Sequence, residues 1–218
     1  MLKRFRERSG IAIEEIIGQN RLAYSLSSHI DFYDLEGWPE NEVCPGSLLT
    51  FYDLQDGSVY KPLAQKEDVI CGKPHFFEKH YYFLTADRQK KEVTLYRYHP
   101  EEALQAIRVF PMKEVELYNL QIMGEGIHVV SQNGSTFQCY DPESFSFAID
   151  PHDTAVFISE GKVYLERWIE EGWDEENNCA TADYRFYHKI ITRDFNGNTL
   201  SEELGYLYQS HDGTWWIG

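Results

Sequence analysis

The chain has 218 residues, 36 of them acidic and 20 basic, so its formal net charge is −16. A charge of this sign repels phosphate backbones and anionic lipid head groups, which argues against nucleic acid and membranes as partners. Basic proteins, cations and neutral ligands such as sugars remain as expected partners. Aromatic residues make up 15% of the chain and favour strands.

The beginning of the chain is basic but does not have the composition of a secretion signal, because Glu14-Glu15 interrupts the apolar residues 11–13. No apolar run is long enough to span a bilayer, so we expect a cytoplasmic protein. We expect reduced thiols and no metal site, because no cysteine lies in a Cys-x-x-Cys pair or near a histidine at ligand spacing. The cysteines are Cys44, Cys71, Cys139 and Cys179.

Residues 2–6 and 11–16, separated by the turn Ser9-Gly10, are predicted to form two strands. Four longer units follow, and in each we expect four strands, named A to D, joined by tight turns. In the first unit the predicted strands are residues 22–26, 30–34, 48–54 and 58–63. The turn before its last strand contains Asp56-Gly57, a strong hairpin signal.

The next three units repeat this profile, so five units of about 40 to 50 residues are expected if the chain ends are counted together. The second unit has predicted strands at 75–78, 81–85, 93–98 and 104–110. The third has them at 120–123, 127–131, 136–140 and 145–149. The fourth has them at 155–158, 162–167, 184–192 and 199–204. A terminal hairpin spans residues 206–218.

The terminal hairpin lacks strands C and D, whereas residues 1–17 lack strands A and B. Pairing of the two chain ends would complete a sheet and remove two unpaired strand edges. The pattern resembles a five-bladed β-propeller formed by a single domain, with blades at about 20–63, 68–110, 117–149 and 154–204 and a composite blade from 1–17 and 206–218. The alternative fold is an irregular β-sandwich.

Two insertions between strands B and C share the order Glu-Gly-Trp, acidic residues, Asn and Cys, in the first unit and in the fourth. Loops held by a rigid scaffold often carry binding residues, and an indole beside carboxylates suits a sugar, an organic cation or a Lys/Arg-rich protein. The alternative is that each Trp covers its own loop. The predicted ligand-binding residues are Glu36, Trp38, Glu40, Glu171, Trp173, Asp174 and Glu175.

No sequence motif of a nucleophile, phosphate-binding loop or zinc protease is present, and no cofactor is predicted. A binding or scaffold protein is therefore the first hypothesis. The alternatives are an acidic inhibitor or immunity-type protein that masks a basic partner and, from the resemblance to small propeller lectins, a carbohydrate-binding or glycosidase-like protein. A glycosidase needs two carboxylates at a defined separation. Its candidates would be Asp68, Glu78, Glu116 and Asp153.

Overall fold

The computed structural model describes residues 2–7 and 11–218, and its architecture is all-β with several antiparallel four-stranded sheets. The first sheet has the order β1 (Glu14–Glu15), β2 (Leu22–Leu26), β3 (Leu49–Asp53) and β4 (Val59–Tyr60). Aliphatic and aromatic residues form most of β2 and β3, which are almost wholly buried.

The first unit differs from its prediction by one strand. Residues 30–34 form no strand, because the chain there enters a short helix, α1 (Asp34–Gly37). The fourth strand of this sheet is β1 instead, which pairs with β2 so that Glu14 lies opposite Tyr24. The apolar residues Ile30 and Phe32 suggested a strand, but they belong to the long β2–β3 connection and pack into the core beneath it.

The second sheet follows the predicted boundaries closely. Its strands are β5 (Val69–Cys71), β6 (His75–Phe77), β7 (His80–Asp87), β8 (Glu92–Tyr98) and β9 (Gln105–Pro111). Both β5 and β6 pair with the same edge of β7, so they act as two halves of one strand. The half formed by β5 lies between the predicted strands 58–63 and 75–78, where no strand was predicted.

The third sheet confirms the predicted meander. It consists of β10 (Gln121–Met123), β11 (His128–Asn133), β12 (Thr136–Asp141) and β13 (Phe145–Ala148), in that order. A short 3-10 turn (Met112–Glu114) lies in the connection from the second sheet.

The fourth sheet has the predicted number and order of strands but much longer central ones. It contains β14 (Asp153–Ser159), β15 (Lys162–Asp174), β16 (Cys179–Asp194) and β17 (Thr199–Leu204). Most of the residues predicted to form its inserted loop are therefore strand residues.

The chain ends in a separate hairpin, β18 (Leu207–Gln209) and β19 (Trp215–Ile217), as predicted. The predicted pairing of β19 with residues 2–6 is not found: in the described part of the chain the hairpin forms a two-stranded sheet. The described N-terminal residues contact the first sheet instead. The Phe5 ring lies 4.9 Å from that of Tyr52, and Arg6 N donates to the Gly57 carbonyl at 2.9 Å. The predicted turn Ser9-Gly10 lies outside the described residues.

Three apolar cores lie between consecutive sheets. Phe51 and Phe83 lie in the core between the first and second sheets, Leu95 and Val129 in the core between the second and third. Residues from β12 and β15 meet between the third and fourth, around the fully buried Phe137. Burial of this much apolar and aromatic surface is the main stabilising contribution to the fold.

The terminal hairpin lies between the fourth sheet and the first. On one side the Trp215 ring packs 4.6 Å from the ring of Phe157 in β14. On the other, Gly18 N donates to the His211 carbonyl at 3.0 Å, and His211 Nδ1 lies 3.1 Å from the Glu15 carboxylate. The terminal hairpin thus contacts Glu15 and Gly18 through its turn, and within residues 2–7 and 11–218 it shares no sheet with the beginning of the chain.

Candidate functional site

A two-stranded arm extends from the fourth sheet. β14 pairs with β15 only as far as Arg167, and β17 pairs with β16 only as far as Lys189. Over residues 168–188, which we call the arm, the two central strands pair with each other and, among the residues that the structure describes, with no third strand.

One face of the arm is aromatic. Residues that pair across two strands share a face, so Trp168 lies beside His188 and Glu170 beside Phe186. Tyr184 Oη donates to Glu170 Oε1 at 2.6 Å, and the Tyr184 ring meets that of Trp173 edge-on at 5.9 Å. We call Trp168, Trp173, Tyr184 and Phe186 the aromatic face.

The aromatic face is open to solvent. Trp168, Trp173 and Phe186 are 42%, 38% and 62% exposed. Nearer the body of the protein the same side of the sheet is covered, because Leu207 N donates to the Glu166 carboxylate and Trp215 packs on Phe157. Large exposed apolar patches of this kind mark sites of interaction.

On the other face of the arm, polar contacts join side chains of the two strands to each other. Arg185 Nε donates to Glu171 Oε2 at 2.6 Å, and Tyr187 Oη donates to Glu171 Oε1 at 2.8 Å. The hydrogen bond from Tyr187, followed by that from Arg185, keeps the pKa of Glu171 below its ordinary value. Glu171, predicted to bind a ligand, is therefore occupied within the arm.

Two more predicted residues lie at the tip of the arm. The Asp174 carboxylate accepts hydrogen bonds from the backbone N–H groups of Glu176 and Asn177, at 3.0 and 3.1 Å, and from Asn177 Nδ2 at 2.8 Å. These bonds, with that from the Asn177 side chain the largest cause, lower the pKa of Asp174. Asp174 thus shapes the turn, whereas Glu175 is exposed beside it.

A bulge interrupts the arm at Gly172. Glu171 pairs with Arg185 and Trp173 with Ala180, so the four residues 181–184 lie opposite one. Gly172 has φ +75°, and a Cβ on it would lie 2.8 Å from backbone atoms of Asp183 and Tyr184. Bulges disturb the edge of a strand and discourage pairing with further strands. The faces of the arm are therefore better suited to binding than its edges.

The first insertion has a different structure. Trp38 follows α1 and is half-buried, packing against the core between the second and third sheets. Arg88 Nη2 donates to the carbonyl oxygens of Trp38 and Pro39 at 3.1 and 2.8 Å, and Arg88 Nη1 to that of Glu42 at 3.0 Å. Glu36 lines an open groove beside Trp38.

Glu40 is exposed in the same insertion. In the described part of the chain no ring contact joins Trp38 to Trp173, whose ring contact is with Tyr184. Ligand binding by either insertion stays a prediction.

The four candidate carboxylates have structural partners or lie in turns. Asp68 is buried and accepts from Gln89 Nε2 at 2.9 Å and from Cys44 N at 3.0 Å; these two bonds, in that order, lower its pKa. Glu78 is exposed in the β6–β7 turn. The remaining two are Glu116, which accepts from Asn133, and Asp153, which accepts from Arg167.

Sequence reasoning missed Trp168, Tyr184 and Phe186 as site residues. The predicted strands stopped at residue 167 and resumed at 184, so the alternation that continues on both sides of the tip was not followed. That alternation is visible in the sequence, since every second residue from 184 to 188 is aromatic or His.

All four cysteines are free, and within residues 2–7 and 11–218 no cluster of His, Cys, Asp and Glu could hold a metal ion. No helix in the same residues is long and apolar enough to cross a membrane. The fold and the arm define an all-β protein of packed antiparallel sheets that carries an exposed aromatic hairpin. Comparison with protein-family models, curated proteins and solved structures gives no match to this chain.

Proposed function

We propose that this is a non-catalytic binding protein whose arm recognises a Lys/Arg-rich segment of a partner protein. The observation that carries the proposal is the aromatic face, in which three large side chains are exposed on an element that pairs with no third strand among the described residues. Trp and Tyr are the residues most enriched where binding energy concentrates in protein interfaces.

The charge of the arm supports a basic partner. Residues 168–188 contain six acidic side chains and one basic one, Arg185. The acidic ones are Glu170, Glu171, Asp174, Glu175, Glu176 and Asp183. Cationic side chains are attracted both to such carboxylates and to the faces of aromatic rings. The arm already contains one such contact, since the Arg185 guanidinium lies 5.8 Å from the centre of the Tyr187 ring.

We propose further that the sheets are blades of a single-domain five-bladed β-propeller, with the terminal hairpin as a reduced fifth blade. Support comes from the three cores between consecutive sheets and from the hairpin's contacts with both the fourth sheet and Glu15. In this arrangement the arm and the first insertion are both connections between a second and a third strand. A cytoplasmic location accords with four free cysteines.

The test uses a fluorescently labelled peptide in which Arg and Ser alternate, with binding followed by anisotropy. The double variant Trp168→Ala/Phe186→Ala removes aromatic surface from the arm, and Tyr208→Ala/Trp216→Ala removes similarly exposed rings from the terminal hairpin. We expect the first pair to weaken binding about tenfold or more and the second pair less than about twofold.

Charge is tested in the same way. Glu175→Gln/Glu176→Gln on the arm and Glu202→Gln/Glu203→Gln on β17 change the net charge equally, so any difference between them reports position. We expect only the arm pair to weaken binding several-fold at physiological salt. Equal effects of the two charge variants would show that the peptide responds only to the overall charge of −16, and equal effects of the two aromatic variants would show that the aromatic face is not the site; either result would overturn the proposal.

A second candidate is a neutral ligand such as a sugar, favoured by the flat exposed indole rings of Trp168 and Trp173. Stacking on such rings changes little with ionic strength, whereas binding of a basic segment weakens steeply. Titration of glucose and galactose at low and high salt separates the two: salt-independent binding lost in Trp168→Ala supports the sugar.

A further inference from the structure

The first strand of the second sheet contains a bulge between β5 and β6. Cys71 pairs with Thr85 and His75 with Tyr82, so three residues, 72–74, lie opposite two. Gly72 N still donates to the Leu84 carbonyl at 2.9 Å, but Pro74 has no N–H to donate. Bulges are frequent beside binding sites, where they change the direction of a strand.

A cavity of about 300 Å³ opens where this strand bends away. Its apolar wall is formed by Phe32 from the β2–β3 connection, Leu84 from β7, and Leu120 and Ile122 at the start of the third sheet. Phe32 can approach because residue 72 has no side chain: a Cβ there would lie 2.8 Å from the Phe32 ring. The volume is at the lower end of the range for ligand pockets, which suits a molecule smaller than most drugs.

The opening of the cavity carries charges of both signs. Lys73 and Asp31 line it, both exposed, and Gln121 adds an exposed amide. The Lys73 ammonium is only loosely paired, 3.7 Å from the Glu14 carboxylate, and its side chain is 74% exposed. Asp31 Oδ1 accepts a hydrogen bond from Phe32 N at 2.9 Å. Both charged groups are exposed, so turning either of them towards a ligand would not leave a buried charge unpaired.

The overall charge of the protein restricts the ligand further. A simple anion would use Lys73 but is repelled by the net charge of −16, and a simple cation would leave Lys73 without a role. A zwitterion satisfies both charged groups and carries no net charge. The apolar wall requires a hydrocarbon group next to these charges.

We propose that the cavity binds a free amino acid with an apolar side chain. Lys73 takes the carboxylate, Asp31 takes the ammonium group, and the side chain lies against the apolar wall that includes Phe32 and Leu84. This site is separate from the arm and does not depend on the function proposed for it.

Isothermal titration with three probes tests the ligand class. L-leucine carries both charges, 4-methylpentanoate only the carboxylate, and 3-methylbutylamine only the ammonium group, on similar hydrocarbon chains. We expect leucine to bind about tenfold or more tightly than either of the others. Absence of leucine binding at about 10 mM, or equal binding of 4-methylpentanoate, overturns the proposal.

Two variants locate the site. Lys73→Gln and Asp31→Asn should each weaken leucine binding about tenfold or more, because each removes one charged hydrogen bond. Both residues are exposed, so the variants should fold, which the thermal transition verifies. Lys113→Gln and Glu67→Gln are the controls, exposed and outside the cavity. Leucine binding that all four variants leave unchanged would place the ligand elsewhere and overturn the proposal.

Discussion

Arg88 Nη2 lies 3.1 Å from the carbonyl oxygen of Trp38 and holds the first insertion against the body of the protein. The corresponding tripeptide in the fourth sheet, Glu171-Gly172-Trp173, lies in a bulged strand of the arm. Two segments with the same Glu-Gly-Trp order thus have different structures, because one passes a partly buried arginine and the other extends beyond its sheet.

The hydrogen bonds from Arg88 to three carbonyl groups should keep the first insertion in place. In Arg88→Lys the charge remains, but an ammonium group cannot reach the three carbonyl groups that the guanidinium fork contacts. We expect faster hydrogen exchange in residues 38–44 with little change elsewhere, measured by mass spectrometry. Arg97→Lys, which alters a contact with Gln105 within the second sheet, is the control. Unchanged exchange in 38–44 would contradict a structural role for Arg88.

The two tryptophans are expected to differ in their contribution to stability. Trp38→Ala removes a half-buried ring packed on an apolar core and should lower the free energy of unfolding by about 2 kcal/mol. Trp173→Ala removes an exposed ring of the arm and should change it by less than about 0.5 kcal/mol. Urea unfolding measures both. Equal decreases in the free energy of unfolding would mean that the arm unfolds cooperatively with the core.

The buried pair in the fourth sheet should be important for folding. The side chain of Asp153 is fully buried and accepts from Arg167 Nε at 2.6 Å and Nη2 at 3.0 Å. Asp153 Oδ2 also lies 3.7 Å from Arg193 Nη2, so Asp153→Asn removes the buried charge that faces both arginines and should cost about 3 kcal/mol in chemical unfolding. Glu202→Gln breaks the partly exposed pair with Lys189 and should cost below about 1 kcal/mol. A smaller loss of unfolding free energy in Asp153→Asn than in Glu202→Gln would contradict a stabilising role for the buried pair.

Glycine is required at position 46 by both conformation and space. Gly46 has φ +71°, and a Cβ would lie 2.0 Å from the Lys66 carbonyl oxygen. Gly46→Ala should therefore cost at least about 3 kcal/mol. Gly134, with φ +53° and open space around it, is the matched control: Gly134→Ala should cost about 1 kcal/mol from backbone strain alone. Thermal unfolding compares the two variants. Similar losses of stability would show that the close contact with the Lys66 carbonyl oxygen adds nothing to the backbone strain.

Two histidines should make stability depend on pH. Burial is the main cause that lowers the pKa of His75 and of His128, and their mutual repulsion adds to the shift of His75. Below the ordinary histidine pKa of about 6.5 the unfolded chain therefore binds protons that the folded protein does not. Their contribution to stability is complete above that pH and is lost as pH falls below it, towards the lowered pKa values of the folded protein.

Urea unfolding of the wild type and of His75→Gln/His128→Gln at several pH values measures this effect. The wild type should lose stability between about pH 6.5 and 5 more steeply than the variant. The nearby acids Asp141 and Glu143 raise the pKa of His128 and so reduce the difference. Parallel profiles would show that other groups control stability in this range.

Much of the fold could be predicted from residue patterns. In the third sheet, Phe137 and Cys139 alternate with polar residues along β12, and both point into the core. The turn at Gly134 and those containing Gly161 and Gly197 occupy left-handed backbone conformations that glycine favours. Such local signals predict where strands begin and end, because they depend on neighbours along the chain.

The candidate site was predicted less well. Trp173 and its acidic neighbours were found, but their surroundings were taken for a loop, so Trp168, Tyr184 and Phe186 were missed as its companions. An apolar pattern such as that of residues 30–34 does not distinguish a strand from a buried connection, since both place apolar side chains towards the core.

The amino-acid pattern by itself determined that this protein is all-β, which segments turn, and that acidic tryptophan-bearing insertions occur twice. Tertiary structure alone decided that β1 pairs with β2, that the terminal hairpin forms its own sheet, and that one insertion is held by Arg88 while the other is an arm. The physical reason is that strand pairing and burial depend on groups distant in the chain. Which strands pair and which segments are buried is decided by hydrogen bonds and apolar contacts that become available only when the sheets assemble.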